Sequence, residues 1–163
     1  MLDNLIQQFA GGGASSMEGP ALHDNVGQML DAAPQNHVTG AVSEALGSLG
    51  GGGFAQSVQQ GAANAGPEQR SGLASMLLSA VEKDGGSSSG VASQFGMGVG
   101  VGGAGPPQLA SLAEHVFNSH GGALAGVMGT QLNSGSGGSS GVLAVLGNPM
   151  ARKLGMSLAG KLM

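Results

Sequence analysis

Apolar residues recur along most of the chain three and four positions apart, the spacing of one face of an α-helix. The pattern opens with Leu2, Leu5, Ile6 and Phe9, which predict a short amphipathic helix over 1–10. Alternating apolar and polar positions, which are typical of strands, are scarce. The sequence therefore predicts an all-α fold. Further runs with helical spacing begin at Leu22, Val38, Phe54, Leu73, Leu109 and Leu124.

Proline and glycine divide these runs into three segments of similar design, at 22–49, 54–81 and 109–132. Each segment has a first helix, a break and a second helix, with proline near helix starts and glycine past helix ends. We expect a small helical array of helix-turn-helix hairpins, because stacked hairpins bury faces that a single hairpin leaves exposed. True repetition and chance similarity between amphipathic helices in Ala/Gly-rich sequence both stay open.

Composition changes along the chain suggest its organisation. Residues 22–84 would hold the pair of hairpins that forms the core, and 109–132 would form the third hairpin. The Gly-rich segment 85–108 is predicted to be a loop, and the Gly/Ser-rich segment 133–141 is predicted to be a linker. An apolar and basic helix is expected over 142–163.

The C-terminal helix has one face of large apolar residues and one face of small residues that permits close helix approach. Opposite charges at the two ends of the chain would also favour contacts between copies. Up to Asn148 the chain carries two basic and nine acidic residues, whereas Arg152, Lys153 and Lys161 make the tail basic. We therefore predict that this helix mediates self-association. Its candidate contact residues are Met150, Ala151, Leu154, Gly155, Leu158, Ala159 and Leu162.

Composition also narrows the possible functions. Aromatic residues make up 2% of the chain and 34 of its 163 residues are glycine, so few large side chains can build a core. Either the helices pack closely or the protein gains stability by self-association. The acidic body should repel nucleic acid. The absence of cysteine excludes disulfides and thiol chemistry.

Glycine and serine motifs that match catalytic or cofactor patterns lack the context that the chemistry needs. Gly98, Gly100 and Gly103 form a G-x-G-x-x-G, but two prolines delay the next helix and no acid follows at the required distance. Ser88 and Ser139 lie in G-x-S-x-G matches, but no aspartate follows either serine. We expect no enzymatic activity, no cofactor and no small-molecule substrate.

The four histidines do not form a metal-binding pattern. His115 and His120 are five positions apart, so they would not share a helix face. Without cysteine or an H-E-x-x-H motif, no metal site is predicted. His37 and His120 occupy comparable turns, which suggests that each bonds to a carbonyl at a helix end.

Three stretches carry a family resemblance. They are "MLDNLIQQFAGGG" at the start, "VTGAVSEALG…VQQGAANAGPEQRSGLASMLLSAVEKDGG" in the middle and "LGMSLAGKLM" at the end. Together they resemble the YidB-like family of small bacterial proteins, over about half of the chain in pieces. The resemblance implies an all-helical cytoplasmic protein of undefined function, with helices arranged as in a homeodomain. It also raises DNA binding, although the only basic residues at the corresponding helix 71–83 are Arg70 and Lys83, which stand beside Glu68, Glu82 and Asp84.

The leading functional hypothesis is a non-enzymatic bacterial structural or interaction protein that forms homo-oligomers through small-residue helix faces. One alternative is a nucleic-acid-associated helical protein of the YidB-like type. Another is a peripheral membrane-surface protein that uses the first helix and the basic tail. A cytoplasmic location is expected because the N-terminal stretch has no basic region before its apolar residues.

Overall fold

The computed structural model of this chain describes residues 2–13, 20–97, 104–133 and 138–163, apart from the side chains of Leu2 and 138–141. Within these ranges all regular structure is helical, which confirms the predicted all-α class. The helices are α1 (Leu2–Ala10), α2 (Pro20–Ala32), α3 (Gln35–Asn64), α4 (Pro67–Lys83), α5 (Ser88–Gln94), α6 (Pro106–Asn133) and α7 (Gly138–Leu162).

Proline and glycine end the helices at the predicted places. Pro34 is extended between α2 and α3, with φ −60° and ψ 145°. Gly66 precedes α4, and its N–H donates to Gln69 Oε1 at 3.1 Å, which satisfies a backbone donor at the helix start. Gly85 follows α4 with φ 84°, a left-handed conformation that glycine adopts without steric conflict.

Three of the long helices are broken near their middles. α3 breaks at Gly50 (φ 68°, ψ 175°) and α7 breaks at Gly147 (φ 76°, ψ 165°). Positive φ of this kind favours glycine because other residues have a Cβ that clashes. α6 breaks at His120 (φ −136°, ψ 31°). The gap between the predicted segments 22–49 and 54–81 is thus a single-residue break at Gly50, and the break predicted inside 109–132 is one at His120.

The helices do not pair as the predicted hairpins. α3 packs chiefly along α6 and α7, α2 packs on α7, and α4 packs on α6. The connectors explain this, because Pro34 between α2 and α3 and Ala65–Gly66 between α3 and α4 are extended. An extended connector of this kind directs the next helix away from its predecessor. The prediction of stacked hairpins at 22–49 and 54–81 is therefore wrong, although the helices themselves are present.

The core is a continuous cluster that includes residues from every helix except α5. Leucine and methionine supply most of its volume, with Phe9 and Phe54 as its fully buried aromatic residues. Burial of side chains of this size contributes about 1.5–3 kcal/mol each. The largest fully buried side chains are Phe9, Phe54, Leu22, Met29, Leu30, Leu73, Leu77, Leu109, Leu112, Leu124, Met128 and Leu132.

The predicted loop over 85–108 contains α5 and the start of α6. Ser87 caps α5, since its Oγ accepts a hydrogen bond from the Gly90 N–H at 3.2 Å. Ser88 Oγ donates to Glu82 Oε1 at 2.5 Å and ties the helix to the end of α4. Serine and glycine have low helix propensity, so the composition of this segment predicted a loop. The cap at Ser87 and the contact with Glu82 stabilise the helix that forms there.

The predicted linker over 133–141 is also partly helical. Residues 138–141 begin α7, and α6 extends to Asn133. Residues 134–137 lie outside the described part of the chain, as do Gly98, Gly100 and Gly103 of the G-x-G-x-x-G motif. The predicted third hairpin at 109–132 is one helix with a break at His120.

Candidate functional site

The C-terminal helix face that was predicted to mediate self-association lies inside the protein. Six of its seven candidate residues are buried, namely Met150, Ala151, Leu154, Gly155, Leu158 and Ala159, and Leu162 is partly buried. A side-chain carbon at Gly155 would overlap the ring of Phe9 in α1. The small-residue face does permit close approach, but its partners belong to the same chain. The proposed location of the self-association surface is therefore wrong.

The basic tail also has a partner within the chain. Lys161 Nζ lies 3.5 Å from Glu44 Oε2 in α3. Ser157 Oγ donates to the same carboxylate oxygen at 2.7 Å. The hydrogen bond from Ser157 is the largest cause that lowers the pKa of Glu44. The hydrogen bond and the positive charge of Lys161 lower this pKa further. One of the three predicted tail cations is thus engaged in an exposed ion pair.

We call the place where the second half of α3 meets the break of α7 the α3–α7 crossing, formed by Ser57, Gly61, Val145, Leu146 and Gly147. A side-chain carbon at Gly61 would overlap the carbonyl oxygen of Val145, and one at Gly147 would overlap the carbonyl oxygen of Ser57. The two backbones are therefore in direct contact.

Ser57 joins the two halves of broken α7. It is fully buried, its Oγ donates to the carbonyl of Leu146, and it accepts from the Met150 N–H at 3.1 Å. These bonds satisfy backbone groups that the break removes from the helical ladder. Sequence reasoning did not identify Ser57; the available signal was a serine between Phe54 and Val58 at an otherwise apolar helix face.

The break of α6 is held by a different contact. His120 Nδ1 lies 2.6 Å from Asp84 Oδ2, at the end of α4. The predicted bond to a helix-end carbonyl is therefore wrong for His120, whose partner is a carboxylate. His37 Nδ1 is buried without a hydrogen-bond partner in the described structure. Among the described residues, no three His, Cys, Asp or Glu side chains are grouped as metal ligands.

A groove on the surface between α3 and α6 collects small residues. We call it the glycine groove; its volume is about 190 Å³, and it is lined by Ser43, Leu46, Gly47, Phe117, Gly121, Gly122 and Ala125. A side-chain carbon at Gly47, Gly121 or Gly122 would meet no described atom within 4 Å. Glycine at these positions therefore has no packing role against the described part of the chain.

α4 contains the helix 71–83 that the family resemblance would assign to DNA recognition. Its apolar residues, including Leu73 and Leu77, are buried in the core. Its charged residues are Glu68, Arg70, Glu82 and Lys83, so acidic and basic side chains are present in equal number. A surface of this charge is unlike the basic stripe that nucleic-acid binding requires.

Comparison of the chain with protein-family models, with curated proteins and with solved structures found no match. The resemblance to the YidB-like family therefore stays a prediction. Across the described ranges, none of the helices has the length and apolar character needed to cross a membrane.

Proposed function

We propose that the chain is a non-enzymatic structural or interaction protein that self-associates, and that the glycine groove is the contact between copies. Open glycines occur singly elsewhere in the described structure, as at Gly72, but Gly47, Gly121 and Gly122 line one groove, and this clustering supports the proposal. The groove replaces the C-terminal helix face, which is buried by the chain's own helices.

The glycines of the groove destabilise their helices unless a close neighbour requires them. Glycine within a helix destabilises the fold by about 0.5–1 kcal/mol relative to alanine. At Gly61 and Gly155 a close neighbour explains the glycine, because a side chain would overlap it. No such neighbour exists at Gly47, Gly121 or Gly122 within the described structure. A second backbone that approaches the groove would give these glycines the same function.

The shape of the groove also favours a second copy of this chain as its partner. Phe117 is half-buried and stands four and five positions before Gly121 and Gly122 on α6. Its ring packs against Phe54 and the core, and its remaining surface lines the groove beside Gly121 and Gly122. An apolar wall beside a small-residue depression is a patch that the same patch of a second copy can cover. Self-complementary patches are what two-fold symmetric dimers use. A second copy of this chain is therefore the partner that the groove fits.

Light scattering coupled to size-exclusion chromatography tests the proposal. Over a range of protein concentrations, we expect the measured mass of the wild-type chain to rise above the monomer mass. Gly122→Gln should return the protein to a monomer, because glutamine fills the groove. Glutamine is also a good helix former, so the variant should keep its fold.

Gly72→Gln is the matched control. Gly72 lies in α4 and is exposed, and a side-chain carbon at this position would meet no atom within 4 Å, but the residue does not line the groove. This variant should associate as the wild type does. A wild-type monomer at all concentrations would contradict self-association, and association that persists in Gly122→Gln would contradict the groove.

The two alternatives, nucleic-acid association and membrane-surface binding, stay predictions. Both need available positive charge, whereas Lys161 is paired with Glu44. The cytoplasmic location and the absence of enzymatic activity also stay predictions.

A further inference from the structure

A cleft opens on another face of the molecule, at the edge of the α3–α7 crossing. It lies between the start of α2, the end of α3 and the break of α7, and its volume is about 360 Å³. This size falls within the range of small-molecule sites. Its polar and glycine lining residues are His23, Gln60, Gly61, Asn64, Gly147 and Asn148.

The walls of the cleft are fixed by the crossing. Gly61 and Gly147 have no side chains, so the backbones of α3 and α7 touch and leave space beside them. Ser57 satisfies the backbone groups at the break, through the carbonyl of Leu146 and the N–H of Met150. A cleft with walls held in this way needs little rearrangement on binding, which favours affinity.

The polar side chains that line the cleft are uncharged. Gln60, Asn64 and Asn148 are carboxamides, each of which can both donate and accept hydrogen bonds. Asn64 Nδ2 donates to the backbone carbonyl of Gln60 at 3.1 Å, which leaves the Asn64 side-chain oxygen and the second N–H for a ligand. Burial lowers the pKa of His23, so its imidazole is neutral at pH 7, although the charge of Asp24 offsets part of this effect. The Nε2 atom of His23 is covered by protein and lacks a partner among the described residues, so it offers no direct contact to a ligand.

We propose that this cleft binds a small uncharged molecule rich in hydroxyl groups, such as a polyol or a simple sugar. Hydroxyl groups both donate and accept, which matches the carboxamides of Gln60, Asn64 and Asn148. A charged ligand would lose its hydration without gaining an opposite charge. A nucleobase would find His23 as the one aromatic ring that lines the described cleft, and no phenylalanine on which to stack.

Nuclear magnetic resonance titration of ¹⁵N-labelled full-length protein tests the proposal. The probes are myo-inositol and glucose, with glucose 6-phosphate and adenine as the charged and stacking comparisons. We expect the neutral probes to shift the side-chain amide signals of Gln60, Asn64 and Asn148 in a saturable way. Glucose 6-phosphate and adenine should bind more weakly.

Ala144→Phe supplies the blocking variant, because Ala144 lines the cleft. It should weaken binding of the neutral probes by about tenfold or more, which is about 1.4 kcal/mol. Ala63→Phe is the matched control, since Ala63 is exposed near the end of α3 and does not line the cleft. The ¹⁵N spectrum of each variant reports whether the fold is kept.

Three results would overturn the proposal. The first is that neither neutral probe shifts the three side-chain amides. The second is equal binding to wild type and to a folded Ala144→Phe. The third is tighter binding of glucose 6-phosphate or adenine at the same amides, which would assign the cleft to another class of ligand. Oligomer mass does not enter the readout, so the proposed self-association stands or fails separately.

Discussion

The α3–α7 crossing and the glycine groove both place glycine inside helices, but for different physical reasons. At the crossing, Gly61 removes a side chain that would overlap the carbonyl oxygen of Val145. In the groove, Gly47, Gly121 and Gly122 face open space. The first region uses small residues to join two helices of one chain. The second has the same composition without an internal partner among the described residues, which is the observation behind our proposal that it contacts a second copy.

The sharpest test of the crossing is Gly61→Ala. Its methyl group would overlap the backbone of Val145, which cannot rotate away as a flexible side chain can. We expect a loss of about 3 kcal/mol or more in the free energy of unfolding, at the upper end for overpacked sites. Urea denaturation followed by circular dichroism measures this loss. Gly72→Ala is the control, and equal midpoints for the two variants would contradict direct backbone contact at the crossing.

Ser57→Ala should have the next largest effect. The substitution leaves the Met150 N–H without its buried acceptor and the Leu146 carbonyl without its donor. Leaving a buried polar group unsatisfied costs about 1–3 kcal/mol, and we expect a loss of unfolding free energy in that range.

Ser79→Ala is the comparison for this loss. Ser79 is exposed and bonds to the Ser75 carbonyl of its own helix at 2.8 Å, so its removal should change the unfolding free energy little. If the two serine variants unfold at the same urea concentration, Ser57 does not hold the break of α7.

Gly122→Ala should change stability in the opposite direction from Gly61→Ala. The added methyl group meets no atom within 4 Å, and alanine loses less backbone entropy than glycine on folding. We expect a gain of about 0.5–1 kcal/mol in the unfolding free energy. The measurement is made on dilute protein, so that association does not contribute. A loss of stability would mean that Gly122 has a role within the chain.

The sequence predicted where the helices lie better than it predicted which helices pack against each other. The spacing of Leu73 and Leu77, with Pro67 at the start and Gly85 at the end, is a local signal and was sufficient for α4. Which helix covers that face depends on distant contacts, and the extended Ala65–Gly66 connector sends α4 to α6 instead of back along α3. The spacing of apolar residues does not indicate in which direction a connector sends the next helix.

The sequence predicted the type of contact at the candidate site, but not where that contact lies. The sequence indicated close helix contacts through small residues, and Gly155 makes such a contact with Phe9. The sequence could not indicate that this contact lies within one chain, because a contact within a chain and a contact between copies need the same small residues. Gly61 and Gly122 look alike in sequence, and only the three-dimensional arrangement separates the closely packed glycine from the open one.

The smallest expected effect is a difference in pH dependence between the two regions. His23, beside the crossing, has a pKa below its ordinary value because it is partly buried, with Asp24 offsetting part of the effect. As the pH falls below about 6.5, the unfolded chain takes up a proton before the folded chain does. The unfolding free energy should therefore decline from that pH down to the folded pKa of His23.

His23→Gln should flatten this decline, because glutamine does not titrate. No titratable side chain lines the glycine groove as described, so the oligomer mass should stay constant over the same pH window in both proteins. Urea denaturation at a series of pH values, paired with light scattering, measures the two responses together. A slope of stability against pH that is unchanged in His23→Gln would assign the acid sensitivity to other groups. An oligomer mass that falls with the same midpoint as stability would show that the crossing and the groove are coupled.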